Sequence, residues 1–163
     1  MACPICMTQP DDAEHVRFYE TTSWRVVLAP NQTLLGRCAI STKRHVGDLA
    51  ALTPAEVLEL FALIGRFEVA ARAAFGATMF NWSCYMNHHY REARPDPHIH
   101  WWAVPRYDQP VTFAGWTFTD PDFGGPYDHA RWRELPLGER RQICAALGAA
   151  LAEAPQPDAW PAV

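Results

Sequence analysis

The feature that most constrains the fold is one long amphipathic helix in the middle of the chain. The segment TPAEVLELFALIGRFEVAARAAFG begins with Thr53 as a candidate N-cap, has proline at the first helical position and places Glu56 three residues after the cap, which is the pattern of a capping box. Gly76 is predicted to end the helix, because glycine adopts left-handed backbone angles easily. Apolar residues recur at helical spacing, and the predicted core-facing stripe is Val57, Leu60, Phe61, Ile64 and Phe67 or Val69.

Short runs of β-branched and apolar residues on both sides of this helix indicate strands. Three runs precede it and two follow it: VRFYETTSW, WRVVLAP, GRCAISTKRH, TMFNWSCYMN and HIHWWAVPRY. The segment VTFAGWTFTDPDFGGPYDHARWRELP is rich in Gly, Pro and aromatic residues, which indicates loop with short strands, and LGERRQICAALGAALAEA indicates a final helix. This order of elements predicts an α+β fold.

Length and composition favour a single domain. The chain has 163 residues, of which 49% are hydrophobic and 20% charged, and this is enough to bury one core. We expect one domain over 1–163, with the motifs in a core of about 3–107 and a C-terminal extension of about 108–163. A formal net charge of −4 gives no general attraction to nucleic acid or to anionic lipid, so neither nucleic acid nor membrane is an expected partner.

Targeting signals and cysteine usage point to the cytoplasm. The N-terminal segment MACPICMTQPDDAEH lacks the apolar centre of a signal peptide, and no apolar stretch approaches the roughly 20 residues of a membrane span. Five cysteines is an odd count, and in a reducing compartment cysteines serve as metal ligands or small buried side chains rather than as disulfides. Cys38, Cys84 and Cys144 stand in apolar contexts and are predicted to pack in the core.

The N-terminal pair Cys3 and Cys6 forms a C-x-x-C motif. Thiolates at this spacing can hold one zinc ion from a tight turn. A thioredoxin-type redox pair is the competing chemistry, although that motif follows a strand of a βαβ unit and no strand is predicted before Cys3. Two thiols without a role are the third possibility. A closed zinc site needs two further ligands, and His45 and His98 are the available candidates.

His98 and His100 form the second constellation, in the segment PDPHIHWWAVPRY. The two prolines exclude helix just before the pair, and the aromatic run favours a strand, in which residues 98, 100 and 102 share one face. Four interpretations stay open at this point: two histidines on an ordinary strand, metal ligands, a nucleophile with its helper, and a catalytic metal site that includes Asp96. For His45 taken alone, a solvated residue at a strand end is the simpler interpretation.

Several segments, taken in order, resemble the histidine-triad superfamily. HIHWWAVPR is similar to its signature, in which three histidines alternate with apolar residues and a Pro-Arg pair ends the strand. GRCAISTKRHVGDLAALTPAE resembles the family's Gly-His, apolar strand and Pro-Lys-x-His segment, which leads into its long helix. CPIC matches the zinc-binding branch, and Asn87 lies 11 positions ahead of His98, where the family usually carries an asparagine.

The resemblance implies a fold and a site. The expected fold is an antiparallel sheet of about five strands with a long helix packed across it, and a nucleotide phosphate lying over the histidine strand. The implied ligands of a structural zinc ion are Cys3, Cys6, His45 and His98. The implied nucleophile is His100, which corresponds to the middle histidine of the family. The expected contacts to the substrate are Asn87, Arg94 and Trp102.

The chemistry implied by the resemblance is covalent. A neutral imidazole attacks the α-phosphorus of a nucleoside phosphoramidate or a dinucleoside polyphosphate, and the nucleotidyl-histidine is then hydrolysed or passed to another phosphate. The other ring nitrogen must keep its proton and donate it to a fixed acceptor, usually a backbone carbonyl. Zinc bound to His98 would hold the strand that carries the nucleophile. Relatives are commonly homodimers, so a homodimer is expected.

The chain departs from the family pattern at several positions. Trp102 stands where the third histidine is expected, and an indole has one N–H donor but cannot pass a proton at neutral pH. The family's Gly-His has become Gly36-Arg37, and EARPDP replaces its Gly-Gln-Ser segment. The alternative function is therefore a zinc-stabilised protein that binds a nucleotide or another phosphate with little or no catalysis.

Overall fold

The computed structural model describes residues 3–7, 16–86 and 88–156. Its helices and strands, in chain order, are α1 (Pro4–Met7), β1 (Arg17–Glu20), β2 (Trp24–Leu28), β3 (Cys38–Thr42), α2 (Pro54–Phe75), β4 (Met79–Tyr85), β5 (His100–Arg106), β6 (Val111–Phe113), β7 (Trp116–Phe118) and α3 (Leu137–Glu153). Short 3-10 turns cover Leu49–Ala51 and His88–Arg91. The fold is α+β, as predicted.

The main sheet has five strands in the order β1-β2-β3-β5-β4, and every neighbouring pair is antiparallel. β5 lies between β3 and β4, where Ala39 and Ser83 both pair with Trp102. Because side chains alternate along a strand, Ile40 and Ala103 point into the core, where both are fully buried. The histidine-bearing strand is therefore held on both sides.

α2 packs across one face of this sheet and begins and ends as predicted. The Thr53 hydroxyl accepts a hydrogen bond from the Glu56 amide at 3.3 Å, and the Glu56 carboxylate accepts one from the Thr53 amide at 2.8 Å, so the capping box is complete. Gly76 ends the helix with a φ of 73°. Trp24 of β2 donates from its indole to the Glu56 carbonyl at 2.9 Å, which fastens the start of the helix to the sheet.

The predicted core stripe of α2 is partly wrong. Val57, Phe61 and Val69 are 37%, 50% and 43% exposed. The face that contacts the sheet is turned away from them, and its buried apolar residues are Leu60, Leu63, Phe67, Ala70, Ala71 and Phe75. α2 is apolar on more than one side, so its periodicity alone does not select a face. Small alanines at 70 and 71 let the helix approach the sheet closely.

The C-terminal third adds a hairpin and the final helix. β6 and β7 pair in a two-stranded sheet, and α3 packs against α2 and β1. Arg66 of α2 donates a hydrogen bond to the carbonyl of Leu151 in α3. Cys38 and Cys144 are buried, and Cys84 packs against the core, which confirms the packing prediction for these thiols. Among the described residues, no helix combines the length and apolar character that crossing a membrane requires.

Candidate functional site

The four predicted metal ligands come together at one end of the sheet. One ligand atom from each of Cys3, Cys6, His45 and His98 lies within 4.8 Å of the other three. Nδ1 of His98 is 3.4 Å from Cys3 Sγ and 3.3 Å from Cys6 Sγ. Nδ1 of His45 is 3.4 Å from Cys6 Sγ. Within 3–7, 16–86 and 88–156, this is the one cluster of three or more side chains suited to a metal ion.

A single helical turn presents the two thiols. α1 is closed by a hydrogen bond of 3.1 Å from the Met7 amide to the Cys3 carbonyl, and residues three apart on a helix are neighbours on its surface. Arg25 of β2 fastens this turn to the sheet. Its guanidinium donates to the Ile5 carbonyl at 3.3 Å and to the Lys43 carbonyl at 3.3 Å, so the end of β3 and the cysteine turn share one anchor.

A close approach of two backbone segments places His45 beside His98. The Ile99 amide donates to the Val46 carbonyl at 2.8 Å. At Gly47, a Cβ atom would lie 2.8 Å from the Pro97 carbonyl oxygen, which is too close for any residue with a side chain. The ring centroids of His45 and His98 are 4.9 Å apart as a result. Gly47, two residues after His45, is therefore part of the architecture of the site.

The cluster fits zinc in donor type and in distance. Zn–S bonds of about 2.3 Å and Zn–N bonds of about 2.0–2.1 Å place sulfur and nitrogen ligands roughly 3.6 Å apart in a tetrahedron, close to the S···N distances of 3.3 and 3.4 Å found here. Two cysteines with two histidines form a set typical of structural zinc sites. Four protein ligands leave no open position for a reacting water.

Burial sets the protonation states in this cluster. His98 is 1% exposed, and burial together with the neighbouring His45 lowers its pKa to about 4. The ring is therefore neutral at physiological pH, as a metal ligand must be. Burial and the adjacent Cys3 raise the pKa of the Cys6 thiol to about 11. Metal binding must then displace a proton from Cys6, which makes affinity fall as pH falls.

Both histidines offer their second ring nitrogen to an oxygen. Nε2 of His98 lies 3.1 Å from the Thr42 carbonyl and 3.0 Å from its hydroxyl, and Nε2 of His45 lies 2.9 Å from Asp96 Oδ1. Oxygens in this position fix the tautomer and orientation of a metal-binding imidazole. Because Asp96 contacts His45 and His98 faces the cysteines, the alternative of a catalytic metal held by Asp96, His98 and His100 is wrong.

His100 is the first residue of β5, so the strand begins two residues later than predicted. The Ile99 amide bonds to the Val46 carbonyl after β3, and the regular ladder starts only with the pair Ser41–His100. Nδ1 of His100 lies 3.1 Å from the His98 carbonyl oxygen. A carbonyl can only accept, so Nδ1 carries the proton and the neutral ring keeps its lone pair on Nε2.

His100 stands on the face of the sheet opposite α2. By register, its neighbours on that face are Ser41 on β3, Tyr85 on β4 and Trp102 two residues along β5. The ring centroids of His100 and Trp102 are 6.0 Å apart, with an interplanar angle of 83°. The central guanidinium carbon of Arg37 lies 4.5 Å from the Trp102 ring centroid. One imidazole, one indole and one guanidinium therefore follow each other along this face.

The other expected substrate contacts are less defined. Asn87 lies outside the described residues. Arg94 is exposed in the segment before β5. Sequence reasoning did not find the pairing of Asp96 with His45, nor the role of Thr42 beside His98. The signal for Asp96 was its position two residues before a metal ligand, whereas nothing in the sequence distinguishes Thr42 from other strand residues.

Arg106 is a further residue that sequence reasoning treated only as part of the Pro-Arg pair. It is fully buried and binds Asp120 through two hydrogen bonds of 2.5 and 3.0 Å. It also donates to Asn81 Oδ1 at 2.6 Å and to the carbonyl of Asp122 at 2.7 Å. The segment after β7 is thereby drawn onto the same side of the sheet as Asn81.

Solved structures of histidine triad proteins share this fold. A zinc-bound histidine triad family protein from Mycobacterium smegmatis is 26% identical, with a TM-score of 0.62 over 94% of this chain and 95% of that chain. A hypothetical histidine triad nucleotide-binding protein from Sulfolobus tokodaii strain7 is 13% identical, with a TM-score of 0.65 over 93% of both chains. A uridylyltransferase is 16% identical, with a TM-score of 0.61 over 94% of this chain and 46% of that chain.

No family model matches the sequence, and no curated protein matches it. The similarity to histidine triad proteins therefore rests on the order of the motifs, the five-stranded fold and the cluster of Cys3, Cys6, His45 and His98. Together with the similarity to the zinc-bound protein, these features show that the chain has the fold of histidine triad proteins and a cluster of two cysteines and two histidines, with Trp102 where the resemblance places a third histidine.

Proposed function

We propose that the protein is a nucleotidyl hydrolase or transferase whose nucleophile is His100. Nε2 attacks the α-phosphorus of a nucleoside phosphoramidate or a dinucleoside polyphosphate, and the leaving group departs with the electron pair of its bond to phosphorus. Water, or another phosphate, then attacks the nucleotidyl-histidine and restores the imidazole. The shared fold of a protein named as nucleotide-binding and of a uridylyltransferase supports this class of chemistry.

The observation that carries the proposal is the hydrogen bond between His100 Nδ1 and the His98 carbonyl, at 3.1 Å. An imidazole can attack phosphorus only through a nitrogen that holds a lone pair, and the tautomer with a proton on Nδ1 leaves that lone pair on Nε2. A histidine that only fills space in a strand does not need this constraint. The position of His100 on the face of the sheet opposite α2, in line with Trp102, also supports the role.

The phosphate oxygens need hydrogen-bond donors as charge develops on them. Asn87 and Arg94 are proposed donors, with backbone amides of the segment between β4 and β5. Trp102 offers its indole N–H to a phosphate oxygen but cannot act as an acid or base. These assignments give the nucleotide a place across the amino end of β5.

The proposed metal is a structural zinc ion held by Cys3, Cys6, His45 and His98. Zinc supplies a rigid joint between the N-terminal turn, the segment after β3 and the residue before the nucleophile. The S···N distances of 3.3 and 3.4 Å and the Cys₂His₂ donor set support zinc. The chain's own residues carry the chemistry, because no ligand position is left for substrate.

Turnover and binding measured on the same preparation test this function. The zinc-loaded protein is incubated with an adenosine phosphoramidate and with a dinucleoside polyphosphate, and products are quantified. We expect turnover, and a loss of about 10⁴-fold or more in His100→Asn. His15→Asn serves as the matched control, because no motif includes His15. Tight nucleotide binding without product in the unaltered protein would contradict the enzyme.

The second candidate function is a nucleotide- or phosphate-binding protein without catalysis. The observation that favours it is Trp102, which stands half-buried beside His100 where an acid is expected to assist the leaving group. Loss of a general acid costs about 10²- to 10⁴-fold for a poor leaving group. In this case His100→Asn leaves nucleotide affinity nearly unchanged and no product forms in either protein.

We also propose that the protein forms a homodimer along β4 and the adjacent side of α2. β4 is an edge strand, and an edge leaves backbone donors and acceptors unpaired. Glu68 of α2 accepts a hydrogen bond from Trp82 of β4 at 3.0 Å, and Phe61, one heptad earlier on the same helix side, is 50% exposed.

Phe61→Glu is expected to shift a dimer to monomer in light scattering. Trp132→Glu, at an exposed site elsewhere, should leave the dimer intact, and a monomeric unaltered protein would contradict the proposal.

A further inference from the structure

Arg37 is a half-buried cation beside Trp102. Its Nε atom is buried without a hydrogen-bond partner, and burial lowers the pKa of its guanidinium. Within 3–7, 16–86 and 88–156, no carboxylate forms an ion pair with it. The Nε atoms of Arg25 and Arg66 are also unpartnered, but other nitrogens of these guanidinium groups donate to backbone carbonyls, and Arg106 binds Asp120.

The acidic residues near Arg37 are already engaged. Asp120, Asp122 and Asp128 line the same surface pocket as Arg37. Asp120 binds Arg106 at 2.5 Å, whereas Asp122 and Asp128 lie 2.7 and 3.6 Å from nitrogen atoms of Arg131. Each of the three carboxylates is therefore paired with Arg106 or Arg131 rather than with Arg37. A buried charge without a counter-ion is costly, and a bound anion would relieve that cost.

Arg37 lies on the same sheet face as the proposed nucleophile. Cys38 pairs with Ala103 and Ala39 pairs with Trp102, so Arg37, the residue just before β3, lies in line with Ala39 and Ser41 on the face that carries His100 and Trp102. Its guanidinium carbon lies 4.5 Å from the Trp102 ring centroid, on a ring whose centroid is 6.0 Å from that of His100. A guanidinium stacked on an aromatic ring keeps its in-plane N–H groups available for a phosphate.

Resting on the proposed function, we propose that Arg37 binds the anionic leaving group as it departs from the α-phosphorus held by His100. The guanidinium compensates for the missing third histidine only when the leaving group is itself an anion. In an anhydride, the P–O bond breaks and a phosphate or polyphosphate leaves with the electron pair, which needs a positive charge and no proton. The favoured substrates are therefore phosphoanhydrides, including dinucleoside polyphosphates.

Phosphoramidates make a different demand. When the P–N bond breaks, the departing amine must take up a proton, and neither Trp102 nor Arg37 provides one. Trp102 has only an indole N–H, and an arginine stays protonated throughout the physiological range. Arg37 thus supplies a positive charge, whereas the third histidine of the family would supply a proton. A positive charge assists the departure of a phosphate but not that of an amine, so phosphoanhydrides and phosphoramidates should react differently.

Two substrates that share one nucleotide test this assignment, an adenosine phosphoramidate and diadenosine tetraphosphate. Arg37→Met is expected to lower kcat/KM for the tetraphosphate by about 10²-fold, with less than about threefold change for the phosphoramidate. Arg37→Lys keeps the charge but loses the planar fork, and should fall between the two. Arg141→Met, at an exposed position of α3, is the matched control. An equal loss on both substrates in Arg37→Met would overturn the assignment.

Binding of inorganic tripolyphosphate gives a readout that does not depend on turnover. We expect Arg37→Met to weaken tripolyphosphate binding by about tenfold or more, while AMP binding stays within about twofold because AMP has no leaving group. Unchanged tripolyphosphate affinity overturns the assignment. If neither substrate reacts with His100, the proposed enzyme fails, and the tripolyphosphate titration still decides whether Arg37 is an anion site.

Discussion

The backbone carbonyl of His98 accepts a hydrogen bond from Nδ1 of His100 at 3.1 Å. The side chain of the same His98 reaches both thiols of the N-terminal turn, at 3.4 and 3.3 Å. One residue thus contacts the metal ligands with its ring and the proposed nucleophile with its backbone. A metal ion held by His98 would fix the carbonyl that sets the tautomer of His100.

Zinc removal is therefore predicted to release the His100 ring. In the zinc-loaded protein, ¹⁵N NMR should show His100 as one tautomer with its proton on Nδ1. After chelation, the His98 carbonyl loses its fixed position and the two neutral tautomers should mix. Re-addition of zinc should restore the first spectrum. Identical His100 signals with and without zinc would show that the metal does not hold the nucleophile.

Asp96 is predicted to strengthen zinc binding without touching the metal. Its carboxylate lies 2.9 Å from His45 Nε2, and partners in this position typically contribute 10- to 100-fold in affinity, so Asp96→Asn should weaken zinc by about that factor. Competition with a coloured chelator measures the change. Glu153→Gln, at the exposed end of α3, should leave the affinity unaltered. An Asp96→Asn protein that binds zinc as tightly as the unaltered chain contradicts the pairing.

Replacing Trp102 is predicted to change which leaving groups react. Trp102→His introduces a group that can donate a proton near the reacting phosphorus, and we expect turnover of an adenosine phosphoramidate to rise by about 10²-fold. Trp102→Phe keeps a ring but adds no acid, so it should give no such gain. Steady-state rates for both variants decide the matter. A Trp102→His protein without increased turnover argues against a missing acid at this position.

Glu56 gives the start of α2 a defined acid sensitivity. A hydrogen bond from Arg44 is the main reason that the pKa of Glu56 is lowered to about 2, whereas an unfolded chain has a value of about 4.3. The native state therefore binds this proton less readily, and the contribution to stability is full above about pH 4.3 and is lost as pH falls towards about 2.

The comparison of Glu56→Gln with the unaltered protein measures this dependence. The difference in Tm should be greatest near neutral pH and should shrink between about pH 4.3 and pH 2. Glu153→Gln controls for the general loss of negative charge. A Tm difference that stays constant between about pH 4.3 and pH 2 would show that ionisation of the Glu56 carboxylate does not contribute to stability.

The ion pair of Arg106 and Asp120 is predicted to hold the segment after β7 in place. Both side chains are almost fully buried, at 0% and 1% exposure, so Asp120→Asn leaves a buried cation and should cost about 3–5 kcal/mol of stability. Asp128→Asn removes an exposed partner of Arg131 and should cost less than about 1 kcal/mol. Urea denaturation of both variants tests this, and equal small losses would contradict a structural role for the buried pair.

The helix boundaries and the pair of thiols could be predicted because they depend on local patterns, whereas the assignment of His45 and His98 as the other two ligands came from the resemblance to histidine-triad proteins. Thr53 and Glu56 cap α2 through contacts within four residues, and Gly76 ends it through its own φ of 73°. The spacing of Cys3 and Cys6 is likewise a property of one turn. Such features are determined by short stretches of sequence, and they are compatible with the fold that the rest of the chain adopts.

Several other features that depend on two distant segments could not be predicted. The buried face of α2 was misassigned because the sheet, and not the helix, selects Leu63 over Phe61. The start of β5 at His100 follows from the bond between the Ile99 amide and the Val46 carbonyl. Arg37 was visible only as a departure from a motif, since its lack of a counter-ion emerges when the acids around it find other partners.

If His100 is the nucleophile, it becomes covalently nucleotidylated during turnover, and this intermediate can be trapped. Zinc-loaded protein is mixed with diadenosine tetraphosphate, quenched in base, digested and sequenced by tandem mass spectrometry. We expect an adenylyl group on the peptide that carries His100, stable in base, lost in acid and absent from His100→Asn. Product formation with no adduct on His100, or with an undiminished rate in His100→Asn, would contradict it.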